Sequence, residues 1–192
     1  MNNIATRPMT LSFADKCVEK LLPWLRSISI KAEVAGSVRR RRPDVNDLDF
    51  VCVPILKIES DLLGQVVGVK DETAEAIRER IKAEAWTPLK DGPSYFQWIA
   101  KGVQVDVWLV DPSTFISNLI CRTGSKEHNI QIAERARKMG KEWRSTKGIY
   151  SRGSLIKLET ESEFYHALNL PWIDPELREN GYVLYFIAKR DT

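Results

Sequence analysis

The sequence predicts an α+β fold built in two parts. Segments whose apolar residues recur near every 3.6 positions stand beside segments that alternate with period two, the two signatures of helix and half-buried strand. An Asp111-Pro112 break divides the 192 residues into parts of about 112 and 80. Apolar residues make up 43% of the chain, enough to fill a packed core.

Residues 11–26 place Leu11, Ala14, Val18, Leu21, Leu22 and Leu25 on one helical face. Ser12 is the expected cap, and Pro23 is expected to kink or end the helix. Residues 31–36 read as a short strand stopped by glycine. Residues 46–53 alternate strictly, with Leu48, Phe50 and Cys52 facing one way and Asp47, Asp49, Val51 and Val53 the other. Residues 71–85 form a helix whose acidic first turn suits its dipole. Strands follow at 86–89, 95–100 and 103–110, the last two joined at Lys101-Gly102. Beyond the break, 114–120 and 126–139 read as helices, 143–158 as short strands with glycine turns, and 160–168 as a helix with a Thr160–Glu163 capping box.

Basic residues exceed acidic ones by only three, 29 against 26, so net charge selects no partner. Between Ser125 and Arg152, however, eight basic residues face three acids. Such a local field suits a phosphate backbone, and it also suits a solvated helix. No apolar run approaches the ~18 residues of a membrane span, and no signal-peptide pattern opens the chain. Three scattered cysteines fit a reducing, intracellular setting, and with two histidines and no Cys-x-x-Cys a structural zinc site is not expected. His128 and His166 are read as a surface and a structural residue, and Trp86, Trp98, Trp143 and Trp172 as packing residues.

Three carboxylates carry the chemistry. Asp47 and Asp49 are two apart on one strand and share a face. Asp106 lies in Val103–Val110, on the face opposite Val105 and Val107. If the two strands are neighbours, the three acids converge. Like charges a few Å apart would force a proton onto one of them unless a cation intervened. Oxygen ligands alone favour Mg²⁺ or Mn²⁺. The other reading is a set of solvent-facing residues on a one-sided sheet. Upstream, Gly36 permits close backbone approach, Ser37 stands at the start of a helix expected at Val38, and Arg39 to Arg42 form a run of four. Helix N–H groups beside arginine make a phosphate site.

Gly36-Ser37, Arg40, Asp47-x-Asp49, Asp106 and Arg122-Thr123-Gly124-Ser125 with Asn129 together resemble the family X (polymerase beta-like) DNA polymerases. The resemblance runs from the helix at 11–26 to LNLPWIDPELRE at 168–179. It implies a nucleotidyltransferase palm over 1–112, a mixed sheet with helices on one face, followed by a small α+β thumb over 113–192. It implies two Mg²⁺ ions, with Mn²⁺ able to substitute, bridged by Asp47 and Asp49. Asp106 would bind only the catalytic ion and accept the primer 3′-hydroxyl proton. Gly36, Ser37 and Arg40 would hold triphosphate oxygens. Arg122, Thr123, Gly124, Lys126 and Asn129 would surround the nucleotide, with a cis peptide at Gly124–Ser125. DNA would meet Gln104, Arg135, Lys138, Lys141, Arg144 and Lys147.

The chain departs from the family's pattern in places. Cys121-Arg122 stands where a tyrosine–phenylalanine pair crowds the sugar, which predicts weaker exclusion of ribonucleotides. Ala133 replaces an arginine that reads the template, which predicts relaxed fidelity. Gln104 and Trp108 replace arginines flanking the third aspartate. About 35 residues precede Gly36, which leaves no room there for the lyase or fingers domains of larger relatives. The expected protein is a monomeric DNA-directed polymerase taking dNTP and primed or gapped DNA, distributive, filling short repair gaps. The alternatives are a template-independent terminal transferase and a catalytically silent nucleic-acid-binding module.

Overall fold

A computed structural model describes residues 8–179; the outer ends of both expected domains, 1–7 and 180–192, lie outside the described residues. In order, the elements are β1 (Met9–Thr10), α1 (Leu11–Ser27), β2 (Ser29–Val34), α2 (Gly36–Arg39), β3 (Asp44–Val45) and β4 (Asp47–Pro54). Next come β5 (Leu56–Ser60), β6 (Val66–Asp71), α3 (Glu72–Ala83), β7 (Thr87–Asp91), β8 (Tyr95–Ala100) and β9 (Val103–Leu109). After a 3₁₀ turn at Pro112–Thr114 follow α4 (Phe115–Thr123), α5 (Lys126–Lys138), β10 (Lys141–Arg144), β11 (Gly148–Ser151), β12 (Ser154–Leu155) and α6 (Glu161–Ala167), with a second 3₁₀ turn at Pro175–Leu177.

Five strands form a mixed sheet in the order β2-β4-β9-β8-β7. Only the β4–β9 pair at its centre is parallel. One face carries Leu48, Phe50, Cys52, Phe96, Trp98, Val105 and Val107, which pack with Leu21 and Leu25 of α1 and with Ile77 and Ile81 of α3 into one core. Removing each such side chain from water contributes about 1.5–3 kcal/mol. The opposite face of β4 changes character along its length. Asp47 and Asp49 open it, and Val51 and Val53 continue it into a second core with Phe115, Ile120, Ile132, Phe164 and Leu168. One face of the strand therefore lies in the first core along its length, while the other is acidic at its start and joins the second core further on.

Several local expectations change. Thr10, not Ser12, caps α1, its hydroxyl accepting from the Phe13 N–H at 3.4 Å. The helix runs through Pro23 to Ser27. Pro23 is exposed, so the carbonyl deprived of its partner faces water. The strand expected at 31–36 is Ser29–Val34, and Gly36 opens α2 instead of ending a strand. The antiparallel hairpin of β5 and β6 was not expected. Leu56, Ile58, Val66, Val67 and Val69 are all exposed on it, so no buried face imposes a periodicity on the sequence.

An ion-pair network joins the two cores. Arg39 of α2 pairs bidentately with Glu161 of α6 and donates to the Thr123 hydroxyl at 3.1 Å. Arg178, fully buried, donates to Glu161 at 3.0 Å and to the Ile173 carbonyl at 3.0 Å. The two guanidinium groups outweigh burial and hold the Glu161 carboxyl below its ordinary range.

Candidate active site

The parallel register places Asp49 opposite Asp106 and Asp47 opposite Gln104. Because β-strand side chains alternate, all three acids project from the sheet face that α1 and α3 leave uncovered. Asp106 is only 7% exposed. One of its oxygens accepts from the Gln97 amide at 3.0 Å and the Gln104 amide at 3.2 Å, and the other from the Tyr95 hydroxyl at 3.1 Å. Burial and the Asp106 charge raise the Asp47 carboxyl. Burial, then Asp47 and Asp106, push Asp49 up to about 7, against the Arg122 charge and the Trp108 indole.

This qualifies the expected convergence. Register and face are shared, but among the described residues no three His, Cys, Asp or Glu side chains form a closed metal-holding group. Neutral donors from β8 and β9 take up the Asp106 oxygens. The donor chemistry nevertheless fits a hard divalent cation, being all oxygen. Burial first, and then the charges of Asp47 and Asp106, lift Asp49, and a cation there would offset the charge part.

Gly36 is required by this geometry. Its φ is +62°, and a Cβ there would lie 2.1 Å from an Asp49 oxygen. The Ala35 N–H donates to the Asp49 carbonyl at 2.8 Å, which fixes the turn against β4. Ser37 lies within α2, whose cap is Ala35, so it does not cap the helix as expected. Among the described residues its buried hydroxyl has no hydrogen-bond partner, an orphaned polar atom next to Gly36 in sequence.

Arg40 donates to the Thr123 carbonyl and, at 2.9 Å, to Glu179. The Gly124–Ser125 peptide is cis. Ser125 caps α5 by accepting from the His128 N–H at 3.2 Å. The Asn129 amide donates to the Cys121 carbonyl at 2.8 Å and ties α5 to the end of α4. Arg40, Arg122, Gly124, Lys126 and Asn129 line a single cleft of about 620 Å³. Among the described residues three cations and no acid therefore face it, a suitable lining for a polyanion. Thr123 is buried behind this cleft, where it holds Arg39.

The basic residues of the C-terminal part divide. Lys138, Arg144 and Lys147 are exposed, Arg144 paired with Glu142 at 2.9 Å. Arg135 is buried and donates to the Leu168 carbonyl at 3.0 Å, and Lys141 donates to the Ala167 carbonyl. Those two head groups brace the end of α6, Arg135 buried and Lys141 partly so. His128, expected on a helix surface, is 2% exposed and meets the Tyr165 hydroxyl at 2.9 Å. Burial, aided by Arg178, lowers it to about 4.

Sequence reasoning missed Gln97 and Tyr95. The signal was present, because counting outward from the Lys101-Gly102 turn sets Gln97 opposite Asp106 and Tyr95 opposite Trp108. Arg39, Glu161 and Arg178 were missed as a unit, since nothing local links residues so far apart in sequence.

A five-stranded mixed sheet whose acidic face meets the glycine–serine turn at Gly36 defines a polymerase beta-like fold. Comparison with known proteins agrees. Residues 118–179 match the family described as DNA polymerase beta thumb. The chain is 32% identical over 167 residues to a Bacillus subtilis protein named DNA polymerase/3′-5′ exonuclease PolX. That alignment covers 79% of this chain and 25% of the relative, so the chain spans about a quarter of the length of the relative it matches. The crystal structure of Leishmania infantum polymerase beta in a ternary P/T complex superimposes with a TM-score of 0.69 at 15% identity, covering 92% of this chain and 78% of that one. The chain therefore has the polymerase beta fold, and its residues 118–179 match the thumb of that family.

Proposed function

We propose that residues 1–112 and 113–192 are the palm and thumb of a DNA polymerase that adds dNMP from dNTP to a primer 3′-hydroxyl. The register that sets Asp49 beside Asp106, across from the basic cleft, carries this reading. Asp47, Asp49 and Asp106 would hold the divalent ions, Mg²⁺ with Mn²⁺ as substitute. Such ions stabilise the attacking and leaving oxygens of an in-line displacement. Asp106 accepts the proton of the 3′-hydroxyl. The unpartnered Ser37 hydroxyl and Arg40 bind the β- and γ-phosphates, and Lys126 adds charge at the cleft mouth. Asn129, held by the Cys121 carbonyl, faces the base and sugar. Lys138, Arg144 and Lys147 grip the DNA backbone of a short repair gap, with the protein acting as a monomer.

Cys121-Arg122 at the cleft favours a second reading, in which sugar or template selection is relaxed and the same site serves as a terminal transferase. Extension assays on single-stranded, primed and gapped DNA, with each dNTP and each NTP, separate the two. Template-directed dNMP addition favoured on gaps supports the polymerase. Untemplated addition at equal rate supports the transferase. No transfer under any condition overturns both.

A further inference from the structure

Ala14, Leu21 and Leu25 bury one face of α1 in the first core. Along the flank of that face Phe13, Lys16, Cys17 and Lys20 recur at helical spacing. This flank is one wall of a cavity of about 410 Å³, within the ~300–1,000 Å³ of small-molecule sites. Leu21 and Val103, each 8% exposed, and the fully buried Leu48 and Val105 make its apolar floor. Leu48 and Val105 are partners in the parallel β4–β9 ladder, and strand alternation turns them away from Asp47, Asp49 and Asp106. The cavity therefore lies on the other side of the sheet from the carboxylates. It shares no lining residue with the basic cleft.

Half-buried Trp86 closes another side. Its ring is parallel to that of Trp98, with centroids 5.9 Å apart and planes 3° apart. The Arg80 guanidinium, also at the cavity, lies 5.6 Å from the Trp86 ring centroid and 4.4 Å from that of Trp24. Two indoles thereby hold a planar fork at the cavity wall. Among the described residues Arg80 makes no ion pair, and neither do Lys16, Lys20 and Lys101, the exposed cations of the rim. Glu84 is the one acid that lines the cavity among those residues.

Unpaired cations around an apolar floor match a ligand of both characters. A phosphate backbone uses the cations and leaves the floor empty, whereas a neutral hydrocarbon does the reverse. The flat indole wall favours an aromatic body over a flexible chain, which loses more rotamer freedom on binding. We propose that this cavity binds a small aryl carboxylate, its rings against Trp86, Leu21 and Val103 and its carboxylate in the Arg80 fork. Lys16, Lys20 and Lys101 select the sign of its charge. The site goes beyond the polymerase reading, since none of its residues belongs to the carboxylate face or to the cleft.

The test uses the full chain and 2-naphthoate, with 2-naphthamide as the neutral counterpart. Isothermal titration is expected to give 2-naphthoate a Kd below ~1 mM and the amide about tenfold weaker binding. Cys17 lines the cavity and Cys121 the cleft, so labelling by N-ethylmaleimide, read by peptide mass, locates the ligand. 2-Naphthoate should slow labelling of Cys17 about threefold or more and leave Cys121 unchanged. Arg80→Gln should weaken binding about tenfold, and Lys16→Gln with Lys101→Gln about threefold. Cys17→Phe fills the cavity and should abolish binding; if it does not fold, the exposed lysine pair carries the test. Protection of Cys121 in place of Cys17 overturns the proposal, because the ligand then sits in the cleft. Equal affinity for acid and amide overturns it, as does unaltered binding by Arg80→Gln. A short primed duplex that protects Cys17 where 2-naphthoate does not makes the cations a nucleic-acid surface, and the proposal falls. No binding of 2-naphthoate at ~10 mM overturns it outright.

Discussion

Asp49 lies opposite Asp106 and two residues along the strand from Asp47, with Gly36 pressed against its oxygens. Its carboxyl titrates near 7 when folded, well above the ordinary carboxylate range, because burial and two like charges disfavour ionisation. Between about pH 4 and 7 the folded protein then holds a proton that the unfolded chain has released. Without divalent ions, this site's contribution to stability is therefore full at about pH 4 and lost as the pH rises through 7. Asp49→Asn should abolish that loss, raising stability at pH 7.5 by on the order of 2 kcal/mol. Thermal melts in chelator at pH 4.5 and 7.5 measure it; the same pH slope in both proteins would contradict the assignment. Gly36→Ala should drive a methyl into the same carboxylate at a positive φ, costing about 1–3 kcal/mol and most of the activity. Both residues were legible in the sequence, because an Asp-x-Asp on an alternating strand and a glycine ahead of it announce a shared face and a close approach.

The hairpin of β8 and β9 was equally legible, since strict alternation on both sides of Lys101-Gly102 fixes its register. The hairpin of β5 and β6 was not, because its apolar side chains stay exposed and so impose no pattern. Faces of α5 were misjudged for a related reason. Arg135 and His128 look like surface residues until α6 is laid over them, which only long-range packing decides. His128 makes the burial testable. Folded, it titrates near 4 against about 6.5 when free, so the unfolded chain binds the extra proton between those values. Its contribution is full above about pH 6.5 and is lost as the pH falls toward 4, by up to about 3 kcal/mol. His128→Gln keeps a partner for Tyr165 and should flatten the slope in denaturant titrations across that window; an unchanged slope would place the proton elsewhere. Glu161→Ala leaves the buried Arg178 and the neighbouring Arg39 unpaired and should cost about 3–5 kcal/mol in the same titrations.

At the scale of the molecule, two cores meet on opposite faces of one strand, and the acids precede the part of its second face that the C-terminal core covers. The α+β architecture was visible in the two hydrophobic periodicities, whereas the ion-pair network through Glu161 was not. DNA held by an exposed basic face should bind with strong salt dependence, each neutralised phosphate adding ~0.9 to the log–log slope. Replacing Lys138, Arg144 and Lys147 together by glutamine should lower that slope by about two to three, read from titrations of primed DNA between low and physiological salt. An unchanged slope would move the DNA to another surface. The most direct test of the whole account is single-turnover addition of one nucleotide to a primed template with Mg²⁺, comparing the wild type with Asp106→Ala. The account predicts rapid templated addition by the wild type and a loss of at least ~10³-fold in the variant, about 4 kcal/mol of barrier. Addition by the variant within tenfold of the wild type would contradict it.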